Sequence, residues 1–206
     1  MLRRCNSVLP AALTLLAFAG GCFREPEPAY KTVPEGARVY LQDRALKDLS
    51  AVQDSFALGG EIDYVNLDRN ELEAFPAELA SLTGLKWLRL NSNRLSSLPD
   101  LSSLVNLRRI YLRGNNFTAV PETLKDLPAL TDIDLSANPV AEVPDWLAQK
   151  KGLENLSFSD TRVKALPADL SAWKDTLLSL QLGGLAISSA EMARIRAALP
   201  KTAVAF

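Results

Sequence analysis

Apolar side chains return along this chain at a nearly fixed interval. From residue 62 the segments 62–84, 85–106, 107–129 and 130–152 run for 23, 22, 23 and 23 residues. A looser segment of 24 residues, 153–176, follows, and a further one starts at Leu177. At the head of each unit apolar and polar positions alternate, as in Val65-Asn66-Leu67 and Leu88-Arg89-Leu90. That alternation predicts a short strand with one face buried. One such unit cannot bury its leucines alone. Stacked units bury them in a shared core, with one parallel strand per turn. Asn70, Asn93, Asn115 and Asn138 share one register, where the chain leaves the strand. A side-chain amide there can donate to and accept from backbone groups that the bend would otherwise strand. Pro76, Pro99, Pro121, Pro144 and Pro167 share a later register and set the backbone on the opposite side.

The ends of the array depart from this pattern. Val39-Tyr40-Leu41, with Leu46 and Leu49, echoes the strand motif 26 residues ahead of Val65-Asn66-Leu67. Residues 37–61 therefore read as a degenerate N-terminal capping repeat with an excursion over 50–60. Thr161 and Leu185 stand where asparagine would continue. Ser188-Ser189-Ala190-Glu191 predicts a helix start, and Met192, Ile195 and Leu199 form one apolar stripe ended by Pro200. Residues 202–206 add a final strand, so 188–206 reads as a C-terminal cap on the repeats of 62–187. Trp173 occupies a leucine register and is expected in the core.

The recurring LxxLxLxxNxL, continued as xxLPxxLxxL, resembles the leucine-rich repeat. The resemblance covers residues 36–206. It implies an α/β solenoid with a curved parallel sheet on the concave face, short helical or irregular convex segments and a helical C-terminal cap. It also implies that Asn70, Asn93, Asn115 and Asn138 form a structural asparagine ladder. Arrays of this kind mostly bind proteins, so a protein or peptide partner on the concave face is expected.

The first residues belong to a different logic. Arg3 and Arg4 precede an apolar run over 8–19 and the small residues Ala19-Gly20-Gly21, then Cys22. Such a run is too short for a spanning helix, which needs about 20 residues. These are the parts of a secretory signal peptide, 1–21. The cysteine after the small residues resembles a bacterial lipoprotein signal, although Ala19 stands where leucine is usual. The resemblance implies lipidation at Cys22. Cleavage nearby by ordinary signal peptidase, or retention as an uncleaved anchor, are the other readings of these residues. Glu25-Pro26-Glu27-Pro28 opens an extended tether over 22–36. By the same resemblance, Phe23 rather than aspartate after the cysteine implies the outer membrane of a bacterial cell envelope.

Composition narrows the chemistry. Of 206 residues none is histidine and two are cysteine, Cys5 and Cys22. Histidine triads, histidine metal sites and histidine acid–base pairs are excluded. The net charge of -1 argues against a nucleic-acid binder. No cofactor, metal or catalytic residue is expected, and the chain reads as a monomeric, non-enzymatic module. Outward strand positions form three columns on the concave face. They run Arg38, Tyr64, Trp87, Arg109, Asp132, Asn155, Ser179, then Tyr40, Asn66, Arg89, Tyr111, Asp134, Ser157, Gln181, then Gln42, Asp68, Asn91, Arg113, Ser136, Ser159, Gly183. Seven strands make a face about 29 Å long. Tyr40, Tyr64, Trp87, Arg89, Arg109, Tyr111 and Arg113 crowd its N-terminal half. Tyr, Trp and Arg dominate binding hot spots, so these seven are the candidate partner-binding residues. Asp132 and Asp134 are the nearest approach to a paired-carboxylate site, and pairing with the adjacent arginines explains them more simply. An envelope-structural or glycan-contacting role without a discrete protein ligand is the alternative.

Overall fold

The computed structural model describes residues 36–206. The signal peptide 1–21, the lipidation candidate Cys22 and tether residues 22–35 lie outside the described residues. The strands are β1 (Ala37–Tyr40), β2 (Ile62–Asn66), β3 (Trp87–Arg89), β4 (Arg109–Tyr111), β5 (Asp132–Asp134), β6 (Asn155–Ser157), β7 (Ser179–Gln181) and β8 (Ala203–Ala205). They form one open sheet in chain order, and every neighbouring pair is parallel. Spatial order equals chain order because each repeat circuit ends one strand further along. Val39, Val65, Leu88, Ile110, Ile133, Leu156, Leu180 and Val204 align across the sheet. All but Val204 are fully or nearly fully buried. That row locks the register, since a slip of one residue would turn the leucines to solvent.

Behind the sheet, the leucines of successive repeats merge into one continuous hydrophobic cluster. Each buried leucine contributes about 1.5–3 kcal/mol relative to an exposed one. The chain leaves the strands through a row of left-handed residues that includes Arg69, Ser92, Gly114, Ala137, Asp160 and Gly184. For residues other than glycine this conformation costs about 1–2 kcal/mol. The asparagine after each of the first four offsets that cost. Asn115 Nδ2 donates to Leu90 O at 2.9 Å and Leu112 O at 2.9 Å, and its Oδ1 accepts from Leu95 N at 3.0 Å. Asn93 and Asn138 repeat the arrangement. At the first rung, Asn70 Oδ1 accepts from both Arg44 N and Leu46 N. Adjacent rungs share carbonyls: Leu90 O receives both Asn93 and Asn115, and Leu112 O receives both Asn115 and Asn138.

On the convex side, Pro76, Pro121 and Pro144 each stand just before a short helical turn. Their fixed φ suits that entry, and they lack a donor that would be left without an intrahelical partner there. The turn after Pro144 is α1 (Asp145–Gln149), which buries Leu147 and Ala148. Trp173 is fully buried, and its Nε1 donates to Leu147 O at 3.0 Å. This bond ties two convex segments together.

The C-terminal end is closed by α2 (Ser189–Ala198) and β8. Ser188 Oγ caps α2 by accepting from Glu191 N at 3.2 Å. Glu191 Oε1 accepts from Leu166 N at 2.9 Å and from Arg194 Nη2 at 2.7 Å. Arg194 also donates to Leu166 O, Pro167 O and Ala168 O, so the pair staples α2 to the preceding repeat. Hydrogen bonding to Arg194, together with the Leu166 amide and against the pull of partial burial, holds the Glu191 carboxyl below its ordinary 4.5. A carboxyl lowered in the fold contributes stability above its unfolded value and loses it as pH falls through the folded one. Acidification from pH 5 to below 4 should therefore loosen α2 ahead of the central repeats. Glu191→Gln should remove that pH dependence. Amide exchange in α2 across this window is the measurement, and protection unchanged in the native chain would contradict it.

Candidate functional site

Strand pairing sets the geometry of the concave face. Arg38, Tyr64, Trp87, Arg109, Asp132, Asn155 and Ser179 are paired in sequence across β1 to β7, and so are Tyr40, Asn66, Arg89, Tyr111, Asp134, Ser157 and Gln181. The four aromatic rings form a continuous ribbon over β1–β4. Centroids are 5.2 Å apart for Tyr40–Tyr64, 5.1 Å for Tyr64–Trp87 and 6.0 Å for Trp87–Tyr111. Tyr64 meets Trp87 edge to face at 87°. Such pairs contribute about 0.5–1.5 kcal/mol beyond their buried area.

Guanidinium groups lie against the ribbon. Arg109 sits 5.0 Å from the Trp87 ring centre, Arg89 5.9 Å from Tyr111 and Arg38 5.9 Å from Tyr64. These cation–π contacts hold long side chains in fixed places. A second constraint acts on Arg89. Its Nε and Nη2 both reach Asp68 Oδ2, at 2.7 and 2.6 Å. Asp68 Oδ1 accepts from Asn91 N at 2.8 Å, and its side chain is only 2% exposed. Burial opposes the Arg89 charge, but attraction and hydrogen bonding from Asp68 outweigh it, and the guanidinium is held above its ordinary pKa. Asp132 lies 3.8 Å from Arg109, and accepts from Asn155 Nδ2 and Thr131 Oγ1 as well. Asp134 instead accepts from Ser136. The two aspartates thus serve different neighbours and do not form a joint acid–base pair.

The seven candidate contact residues are brought together but not equally offered. Tyr40 is 44% exposed and Arg113 is exposed. Trp87, Arg89, Arg109 and Tyr111 are half-buried. Tyr64 is only 4% exposed, enclosed by Tyr40, Trp87 and Arg38. It holds its expected place in the outward column but is closed over, a floor for its neighbours rather than an exposed contact residue. The buried Trp87 Nε1 has no hydrogen-bond partner among the described residues. Asp68 stands in the third outward column but not among the seven candidates, and its pairing with Arg89 is not given by column position. Among the described residues no cluster of three or more His, Cys, Asp or Glu could hold a metal ion.

A parallel sheet in chain order, an asparagine ladder and a repeat near 23 residues define a solenoid built from a single supersecondary unit. The leucine rich repeat family model matches residues 60–117 and 83–140, and the chain belongs to the leucine-rich repeat family. It is 30% identical over 129 residues to fibromodulin of Oryctolagus cuniculus, across 62% of this chain and 85% of that one. It is 33% identical over 114 residues to the flightless-1 homolog of Caenorhabditis elegans, across 53% of this chain but only 9% of that protein. This chain thus spans only a small part of the length of that relative. Among solved structures, a leucine-rich repeat protein of Leptospira interrogans matches with a TM-score of 0.62 and 29% identity, over 71% of this chain and 43% of that one. Repeats of this family are typical protein–protein interaction modules.

Proposed function

We propose that this chain is a lipid-anchored binding module of a bacterial cell envelope, whose concave face takes a protein or peptide partner. The observation that carries the partner reading is the unbroken ribbon from Tyr40 to Tyr111 with three guanidiniums packed on it. Interlocked side chains lose little freedom on binding, which is the usual property of interface anchors. The face acts by binding, with no cofactor and no catalytic group assigned to it, and the body is monomeric. A glycan platform fits less well, because three of the four rings already carry a guanidinium over one face.

The anchor reading rests on the order of Arg3-Arg4, the apolar run, Ala19-Gly20-Gly21 and Cys22. Two or three acyl chains at about 0.8 kcal/mol per buried methylene hold a protein stably on a bilayer, where one does not. The tether after Cys22 would hold the repeats off the membrane, and the outer membrane is the assigned site.

Trp87→Ala or Arg89→Ala should abolish capture of a cross-linked partner while circular dichroism shows the fold retained, and Arg89→Ala should also melt earlier because the buried Asp68 carboxylate loses its counter-charge. Capture unaffected by both changes would leave the envelope-structural reading, in which concave substitutions are silent. Metabolic palmitate labelling should be lost in Cys22→Ala, and label retained by that variant would reject the anchor site.

A further inference from the structure

Building on the partner reading above, we infer that the ligand is an extended, acidic polypeptide segment seated over β3 and β4. Over β1–β4 the three outward columns carry four guanidiniums, Arg38, Arg89, Arg109 and Arg113, against one carboxylate, Asp68. The chain as a whole has a net charge of -1, so this excess is local. Asp68 neutralises Arg89, and Asp132 stands 3.8 Å from Arg109. Arg113, at the exit of β4, is exposed, and no ion pair among the described residues includes it.

Position sharpens the chemistry. Tyr111 stands between Arg109 and Arg113 along one strand face and beside Arg89 on the next. Residues four apart on a strand are separated by about 13 Å, the span of a similar length of extended ligand. One segment can therefore set a carboxylate at each end and an apolar side chain on Tyr111 between them. Guanidinium forks match carboxylates in two parallel hydrogen bonds and lose little hydration on doing so. The neighbouring strand decides the width of the ligand. On β5, Asp132 stands beside Arg109 and Asp134 beside Tyr111. A broad polyanion, such as an anionic membrane or a nucleic acid, would press against these carboxylates, whereas a narrow peptide need not reach them.

Peptide display against the exported full chain carrying Cys22→Ser tests this. Selected peptides should be richer in Asp and Glu than in Lys and Arg. A synthetic peptide from the leading set should bind about tenfold or more weakly to Arg113→Glu, and charge reversal of the peptide should recover binding to that variant. Arg113→Gln, with an intermediate loss, guards against a folding defect. Selection of neutral or basic peptides, or of acidic peptides indifferent to Arg113→Glu, overturns this inference and leaves the partner reading intact. No enrichment, together with partner capture untouched by Trp87→Ala, overturns both. Retention on vesicles containing about one-third phosphatidylglycerol, abolished by Arg113→Glu in the absence of peptide enrichment, assigns the arginines to a lipid surface and also overturns it.

Discussion

Asn138→Leu should destabilise the fold by about 3–4 kcal/mol, more than a leucine of similar size at Asn115. Asn138 is 2% exposed. Its Oδ1 accepts from Phe117 N at 3.0 Å, and its Nδ2 donates to Leu112 O at 2.9 Å and Leu135 O at 3.0 Å. Leucine fills the space but accepts and donates nothing. The Phe117 amide is then buried without an acceptor, which costs about 1–3 kcal/mol by itself. Leu112 O keeps its bond from Asn115, so that loss is partial. Leu135 O has no such reserve, because Thr161 stands where the next asparagine would be. At Asn115 both carbonyls retain a neighbouring rung, through Asn93 and Asn138, and only the Leu95 amide is stranded. Urea unfolding of the two variants measures the difference. Equal losses at the two sites, or a loss at Asn138 below about 1 kcal/mol, would show that the ladder does not bear on stability in this way.

The contrast between the two rungs also shows how far the chain can be read without coordinates. Strand placement and register follow from burial at alternate positions, and burial recurs because every repeat faces the same core. Hence Val65, Leu88, Ile110 and Ile133 pair across the sheet as their spacing predicts. The outward columns follow for the same reason, since a side chain one position along must leave on the other face. What spacing cannot convey is how far an outward side chain is covered by its neighbours. Tyr64 and Trp87 occupy equivalent positions on adjacent strands, yet only Tyr64 is closed over. Tyr40 from the repeat before and Trp87 from the repeat after pack on it at 5.2 and 5.1 Å, while Trp87 meets Tyr64 on one side and, on the other, Arg109 and the more distant Tyr111 at 6.0 Å. The Asp68–Arg89 pair escapes for a related reason. The two residues sit in different columns on successive repeats, and only the side-chain torsions bring them to 2.6 Å.

That pair leads to the second large effect, which falls on stability and recognition together. Asp68→Ala should cost about 2–4 kcal/mol and release Arg89 from its place against Tyr111. The carboxylate serves three donors: the Nε and Nη2 of Arg89 and the Asn91 amide. Removing it leaves the amide without its acceptor and a guanidinium, 29% exposed, without its counter-charge. Arg89 can then swing toward water, which limits the cost but empties the position beside Tyr111. Asp68→Asn keeps an acceptor for Asn91 and loses the charge, so it should fall between Ala and native in stability. Removing both partners, as Asp68→Ala with Arg89→Met, should recover part of the stability of the single variant, because no buried charge is then left uncompensated. It should not recover partner capture. Urea midpoints and capture measured on the same four proteins separate the two consequences. Capture lost in Asp68→Ala, where Arg89 is still present, identifies Asp68 as the group that positions Arg89 for its ligand, whereas capture kept in that variant despite lowered stability would show Asp68 to be a packing residue alone.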